Sequence, residues 1–279
     1  MIDPSPWNQF WEDKARRDVS DSVFDRGSSP RAPDIEEMST QEIIDFIAPD
    51  AADVLLDAGC GTGNNLVLLH SKVSRLIGLD LAAGAMDRCQ RRLREHGLTE
   101  PKLVRGRVSA LPLAPASVDK IICFSVFHYL DDDELRRTLK EFARVLRARG
   151  VVVLHVKNLA SVYLSVLLTA KRVKRFFGHR KAIEHFRTYN RYAAELGAAG
   201  FEIIDYVSFN VLVVGFMPQR LVSLLQRLEL AHRTNRFFRL PLIRRSGADL
   251  KLRARLRGDL ESPTNSLQRY VHSSHIRGR

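Results

Sequence analysis

Asp57 and Asp80 flank three glycines at alternate positions, Gly59, Gly61 and Gly63. Glycine there lets backbone approach a ligand where a Cβ would collide, and it permits positive φ in a tight turn. Asp80 follows the turn by about 20 residues, the spacing at which a carboxylate ending a second strand reaches the hydroxyls of a ribose. The glycines read G-x-G-x-G, whereas a dinucleotide-binding turn reads G-x-G-x-x-G, so the spacing argues against a dehydrogenase.

The elements that must hold these residues follow from hydrophobic pattern. Val54-Leu55-Leu56 is a short apolar run, the signature of a strand buried on both faces, and Leu66-Val67-Leu68-Leu69-His70 opens a helix after the turn. Arg75 to Asp80 is a second strand, Gly84 to Glu95 a helix with Met86, Cys89 and Leu93 on one face, and Lys102 to Gly106 a third strand. Val118 to Phe124 is a fourth strand. Asp131 to Arg147 is a helix whose acidic first turn and basic last turn suit the macrodipole; Gly150 ends it, and Val151 to Val156 is a fifth strand. Ala248 to Arg255 reads as a final antiparallel strand. Strand–helix alternation of this kind predicts an α/β fold with a doubly wound, mostly parallel Rossmann-like sheet.

Asp57-Ala58-Gly59-Cys60-Gly61-Thr62-Gly63 resembles the first motif of class I S-adenosylmethionine-dependent methyltransferases. Gly106 to Leu113 resembles the segment bordering the adenine. Ser117 to Lys120 with Phe124 to Leu130 resembles the fourth strand and its loop, and Leu139 to Leu146 the helix before strand five. The likeness runs through about residues 53–156 and returns at Tyr192 to Glu202 as a last helix and sixth strand. It implies S-adenosylmethionine as cofactor, held by Asp57, Ala58, Gly59, Gly61, Gly63, Asn64, Asp80, Leu81, Val108 and Phe124. One position departs from the family's pattern: where Gly-Asp-Ala is common, this chain has Gly106-Arg107-Val108, and a guanidinium cannot accept a hydrogen bond from adenine. Adenine recognition then leans on the Val108 backbone and on apolar sandwiching.

The same likeness places His128, with Tyr129 beside it, at the edge facing the methyl group. His128 is the expected base or acceptor-orienting residue, and His155 and Lys157 are weaker candidates. Methyl transfer from a sulfonium is an in-line displacement that rests on alignment and exclusion of water, so neither a metal nor a covalent intermediate is required. Phe124-Ser125-Val126-Phe127 stands where nucleic-acid amino-methylases usually carry Asn/Asp-Pro-Pro-aromatic, which disfavours that class. A small-molecule or lipid-like acceptor is expected, methylated on oxygen, nitrogen or carbon. An RNA methyltransferase and a non-catalytic protein that binds cofactor or lipid stand as alternatives.

Charge is unevenly placed. Residues 1–156 carry 21 Lys and Arg against 24 Asp and Glu, while residues 157–279 carry 23 against 8. The basic half calls for an anionic partner, which an anionic membrane surface, nucleic acid or an acidic substrate would satisfy. Three cysteines without metal spacing exclude a disulfide framework and suit a reduced cytoplasm, with peripheral association at the inner membrane surface as the further expectation. No stretch reaches the roughly 18 apolar residues of a spanning helix. The expected organisation is an N-terminal helical cap over 1–50, a methyltransferase domain over 51–260 and a flexible basic tail over 261–279. Trp7 and Trp11 of the cap either line the pocket or staple onto the core. Insertions at 158–187 and 216–247, apolar then basic, leave from the carboxyl ends of parallel strands and should form a helical lid on the acceptor side.

Overall fold

The computed structural model describes residues 10–12, 40–161, 184–209, 245 and 247–258. Seven strands form one sheet in the order β3-β2-β1-β4-β5-β7-β6. They are β1 (Val54–Ala58), β2 (Arg75–Asp80), β3 (Lys102–Arg105), β4 (Val118–Phe124), β5 (Leu146–Lys157), β6 (Phe201–Phe209) and β7 (Asp249–Leu256). β1 to β5 pair in parallel, and β7 runs antiparallel between β5 and β6. The helices are α1 (Thr40–Ile47), α2 (Asn64–Leu69), α3 (Ala83–Glu95), α4 (Asp132–Val145) and α5 (Tyr189–Ala198), with a 3-10 turn at Phe127–Tyr129. Residues 10–12 form one further helical turn.

Alternation along the central strands sends successive side chains to opposite faces, so each face needs its own helical cover. Leu56, Ile121, Val152 and Leu252 meet Leu139 and Phe142 of α4 and Leu196 of α5. Leu55, Ile122 and Val153 meet Ile47 of α1, Leu66 and Leu69 of α2, and Cys89 and Leu93 of α3. α4 is fixed at its start by Asp131, whose carboxylate accepts from the Glu134 N–H at 2.8 Å, an N-cap.

The fifth strand begins earlier than the sequence suggests. β5 starts at Leu146, which pairs with Val118, and Gly150 lies within it rather than ending the preceding helix. A Cβ on Gly150 would sit 2.9 Å from the Arg147 carbonyl and 3.0 Å from that of Asp119. The glycine therefore serves a close backbone approach, with Arg149 beside it at φ 64.

Both long insertions fall largely outside the described residues, as does the 261–279 tail. What the structure shows is where the chain leaves and returns. Asn158, just beyond β5, donates to the carbonyls of Arg245 (2.7 Å) and Gly247 (2.9 Å), and its backbone bridges to Arg187. β6 ends at Phe209, paired with Asp249. All four points lie at the carboxyl edge of the parallel strands. Among the described residues no helix is long and apolar enough to cross a membrane.

Gly150→Ala should cost about 1–3 kcal/mol, since the obstructing atoms include backbone carbonyls that cannot move aside. Urea denaturation checks this. A lower midpoint with unchanged slope is expected, and an unchanged midpoint would mean that the strand relaxes freely there.

Candidate active site

β1 lies between β2 and β4, so whatever ends it is enclosed. Asp57 is fully buried, and neither carboxylate oxygen has a hydrogen-bond partner. Burial pushes its pKa up to about 7; nearby Asn65 favours the charged form without hydrogen-bond geometry to either oxygen, and Asp80 opposes it. Left without a donor, the buried carboxylate carries an uncompensated desolvation cost.

The glycine turn follows. Gly59, Gly61 and Gly63 all adopt positive φ, at 87°, 53° and 87°. A Cβ on Gly59 would run into Cγ2 of Val126 in the loop after β4, and one on Gly63 into Sγ of Cys89 on α3. The turn is locked to β2 through its own donors. The N–H groups of Gly59 and Cys60 both reach the Leu79 carbonyl, at 2.7 and 2.9 Å, and that of Gly63 reaches the Cys60 carbonyl at 2.9 Å. Gly61 donates to Asp80 at 2.9 Å. With those four amides occupied, the turn is poorly equipped to cradle a phosphate, which distinguishes it from a dinucleotide-binding loop.

Asp80, ending β2, also accepts from Ala82 N–H at 3.0 Å. Burial raises its pKa, the backbone donors pull it back down, and Glu12 adds to the rise. Glu12 was not singled out from sequence. It accepts from the N–H groups of Ala83 (2.6 Å) and Gly84 (3.1 Å) at the start of α3 and pairs with Arg105 at 3.2 Å. Next to it, the Trp11 ring meets Tyr129 edge-on with centroids 5.1 Å apart. Residues 10–12 thus reach from the β2 edge to the β4 edge across the carboxyl ends; Trp7 lies outside the described residues. Nothing in the local sequence beyond an acid directly after Phe10-Trp11 marks Glu12, because its partners lie more than 70 residues away.

Ala58 ends β1 fully buried, Asn64 starts α2, and Leu81 and Val108 are half-buried near Asp80 and the segment after β3. Phe124 ends β4 edge-on to His155, with centroids 6.4 Å apart. Arg107 turns to Glu134 at the start of α4 in an ion pair. His128 is buried at 4% exposure, its ring 4.1 Å from that of Tyr129 and stacked at 6.2 Å on Phe186. The buried Arg187 guanidinium fixes this turn by donating to the carbonyls of Phe127 (3.3 Å) and Leu130 (2.8 Å) and pairing with Asp132 at 2.7 Å. Desolvation raises the Tyr129 phenol pKa well above its ordinary value, which keeps it neutral.

Beyond the Phe124 end, His155 and Lys157 of β5 meet Asp249 of β7, at 2.8 and 2.5 Å. Asp249 lies in the expected antiparallel strand but was not read as a site residue, because its place beside Lys157 and His155 exists only once β7 has paired with β5. Among the described residues no group of three or more His, Cys, Asp or Glu is arranged to hold a metal ion. A surface hollow of about 320 Å³ lies at the opposite, amino-terminal edge, lined by Val54, Arg75, Lys102 and Arg147, and takes no part in this site.

Residues 55–150 match the Methyltransferase domain family. Over those residues, about a third of the chain, the protein carries a methyltransferase domain of that family. Its curated relatives include the malonyl-[acyl-carrier protein] O-methyltransferase of Serratia marcescens, 30% identical over 142 residues, which are 50% of this chain and 53% of that protein. The corresponding enzyme of Yersinia pestis is 38% identical over 99 residues, 36% of this chain and 34% of that one. The chain thus spans about half or less of the length of these relatives. Among solved structures, geranyl diphosphate C-methyltransferase from Streptomyces coelicolor A3(2) superposes with a TM-score of 0.59 at 16% identity, covering 90% of this chain and 98% of that one, and shares the fold.

The domain's cofactor, S-adenosylmethionine, fits the residues present. The donor-less Asp57 carboxylate offers a counter-charge to an ammonium, and the turn beside it holds the positive φ of Gly59, Gly61 and Gly63 with no side chain at those positions.

Asp57 provides a pH test in the cofactor-free protein. Its folded pKa of about 7 exceeds the unfolded value of 3.8, so the folded state holds the extra proton between them. Stability from the neutral acid is complete below about pH 4 and lost as pH rises through 7, by on the order of 4 kcal/mol. Denaturation of wild type and Asp57→Asn from pH 4 to 8 should show wild type losing ground relative to the variant as pH rises. A difference constant with pH would show that Asp57 is ionised throughout.

Proposed function

We propose that this chain is an S-adenosylmethionine-dependent methyltransferase acting on a small-molecule or lipid-linked acceptor that carries an anionic group. The observation that carries the reading is the buried, donor-less Asp57 beside a glycine turn whose amides are tied to β2 and Asp80. Asp57 would face the ammonium of the cofactor's amino-acid end, Gly59, Gly61 and Gly63 with Ala58 and Asn64 would line it, and Asp80 with Leu81 would take the ribose hydroxyls. Val108 and Phe124 would flank the adenine. Bound there, the cofactor supplies an electrophilic methyl group on a sulfonium.

The chain's own residues then have three tasks: to align the acceptor, to exclude water and to remove a proton where the nucleophile has one. Trp11 against Tyr129 covers the cleft from the N-terminal side. His128, enclosed by Tyr129 and Phe186, suits the wall that orients an acceptor better than an exposed base. Anionic character of the acceptor is supported by Lys157 and Lys251 at the β5 and β7 ends and by the surplus of 23 basic over 8 acidic residues in 157–279. The acceptors named for the relatives, malonyl-[acyl-carrier protein] and, for the structural neighbour, geranyl diphosphate, are acidic as well. The same charge supports a second reading, reversible association with an anionic bilayer, which co-sedimentation with anionic and neutral vesicles at low and high salt would test.

Calorimetry with S-adenosylhomocysteine tests the cofactor. Asp80→Ala should weaken binding by about 10- to 100-fold, because a charged acceptor is removed and Gly61 loses its anchor. Incubation with methyl-labelled S-adenosylmethionine and a small-molecule, lipid or RNA extract then identifies the acceptor class. Tight NAD binding without response to S-adenosylhomocysteine would overturn the reading, and label confined to RNA would overturn the acceptor class.

A further inference from the structure

At the carboxyl edge, one strand beyond the glycine turn, three side chains form a continuous chain of hydrogen bonds. Ser125 Oγ lies 3.1 Å from His155 Nδ1, and His155 Nε2 lies 2.8 Å from Asp249 Oδ1. The three come from different strands, the end of β4, the end of β5 and the start of β7, that are neighbours in the sheet. Such a constellation of hydroxyl, imidazole and carboxylate is the arrangement that moves protons in acyl-transfer enzymes, although here serine faces Nδ1 and the carboxylate Nε2.

Chemistry assigns the protons. An ionised carboxylate only accepts, so the hydrogen on Nε2 points at Asp249, and a neutral imidazole then has Nδ1 free to accept from the Ser125 hydroxyl. Burial alone would raise the Asp249 pKa, but Lys157 and His155 outweigh it and hold the acid far below the usual carboxylate range. Burial lowers the pKa of His155, Asp249 opposes that shift, and Lys157 and Lys251 add to it. The groups around the imidazole are thus Lys157 on its own strand, Asp249 and Lys251 on β7, Ser125 with Phe124 on the β4 side, and His128 on the 3-10 turn packed against β5.

Two further observations concern Ser125. Val126, the next residue, fills the space where Gly59 lacks a Cβ, so Ser125 adjoins the glycine turn. Ser125 also holds φ 60, an uncommon left-handed conformation for a residue other than glycine, and such strain persists where the surroundings enforce it.

We propose that Ser125, His155 and Asp249 are a proton relay for the acceptor. Ser125 Oγ is the catalytic group that meets the acceptor's O–H or N–H, His155 Nδ1 is the base behind it, and Asp249 is the positioning residue that keeps the proton on Nε2. This rests on the methyltransferase reading and narrows it to acceptors with a heteroatom proton to lose. As the acceptor heteroatom gives its proton to Ser125 Oγ, the serine's own proton passes to His155 Nδ1. The heteroatom lone pair forms the new bond to the methyl carbon, and the carbon–sulfur bond breaks with its electron pair kept by sulfur. The positive charge of the sulfonium ends on the imidazolium, beside Asp249, until water removes the proton.

The test joins nitrogen NMR of the cofactor-free protein to transfer of labelled methyl into the extract fraction that wild type labels. In the free protein at pH 7, His155 should carry its hydrogen on Nε2, and it should titrate below 6.5. Asp249→Asn should lower that titration point further, and the acid limb of the pH–rate profile should move with it. Ser125→Ala and His155→Gln should each cut transfer about a hundredfold while S-adenosylhomocysteine still binds. Ser125→Gly, which relieves the positive φ, should melt no lower than wild type and yet transfer as slowly as Ser125→Ala. A hydrogen found on Nδ1, a titration unmoved by Asp249→Asn, or wild-type transfer by Ser125→Ala would each overturn the relay. Absence of S-adenosylhomocysteine binding by wild type would instead overturn the methyltransferase reading.

Discussion

The Asp57 side chain ends a strand hydrogen-bonded on both sides and meets no donor of its own. Among the described residues, the buried Asp249 has Lys157 and His155, and the half-buried Asp53 has Lys120 at 2.8 Å. Asp57 has no such cation beside it, and desolvation leaves it only about half ionised near pH 7. Under the proposed function, the ammonium of a bound ligand would supply the missing counter-charge. The turn beside Asp57 is held by its amides' bonds to the Leu79 carbonyl and to Asp80, with Val126 and Cys89 packed where Gly59 and Gly63 lack a Cβ.

The sheet then acts as a ruler. From β2 through β1, β4 and β5 to β7, neighbouring strand ends present Asp80, Asp57, Ser125, His155 and Asp249. Strands stand about 4.8 Å apart, so the span from the ribose acid to the histidine is roughly 14 Å. In the proposed assignment, strand order rather than loop conformation would set the cofactor side and the acceptor side. Electrostatics divides along the same line: two carboxylates on the cofactor side, and two lysines with one carboxylate on the acceptor side.

Local chemistry made the glycine turn and its two flanking acids legible in the sequence. Three glycines, two acids and two apolar runs lie within residues 54–80, and each signal is short-range. The doubly wound, mostly parallel sheet with an antiparallel last strand was also readable, although the strand order was not. The start of β5 was not, since Gly150 looks like a helix stop in sequence but serves a close approach between backbones. Glu12 and Asp249 were missed for a common reason. Each finds its partners across more than 70 residues, so its role exists only once the sheet has formed. His155 was visible as a histidine at a strand end, yet nothing nearby ranked it above His128.

Proton release on ligand binding tests the account most directly. If the cofactor's ammonium satisfies Asp57, binding must drive the remaining proton off that carboxyl. Calorimetric titration of S-adenosylhomocysteine at pH 7, repeated in buffers of different ionisation enthalpy, should report release of about half a proton for a group with a pKa near 7, and almost none from Asp57→Asn. Tight binding with no proton release by wild type, or equal release by Asp57→Asn, would contradict it.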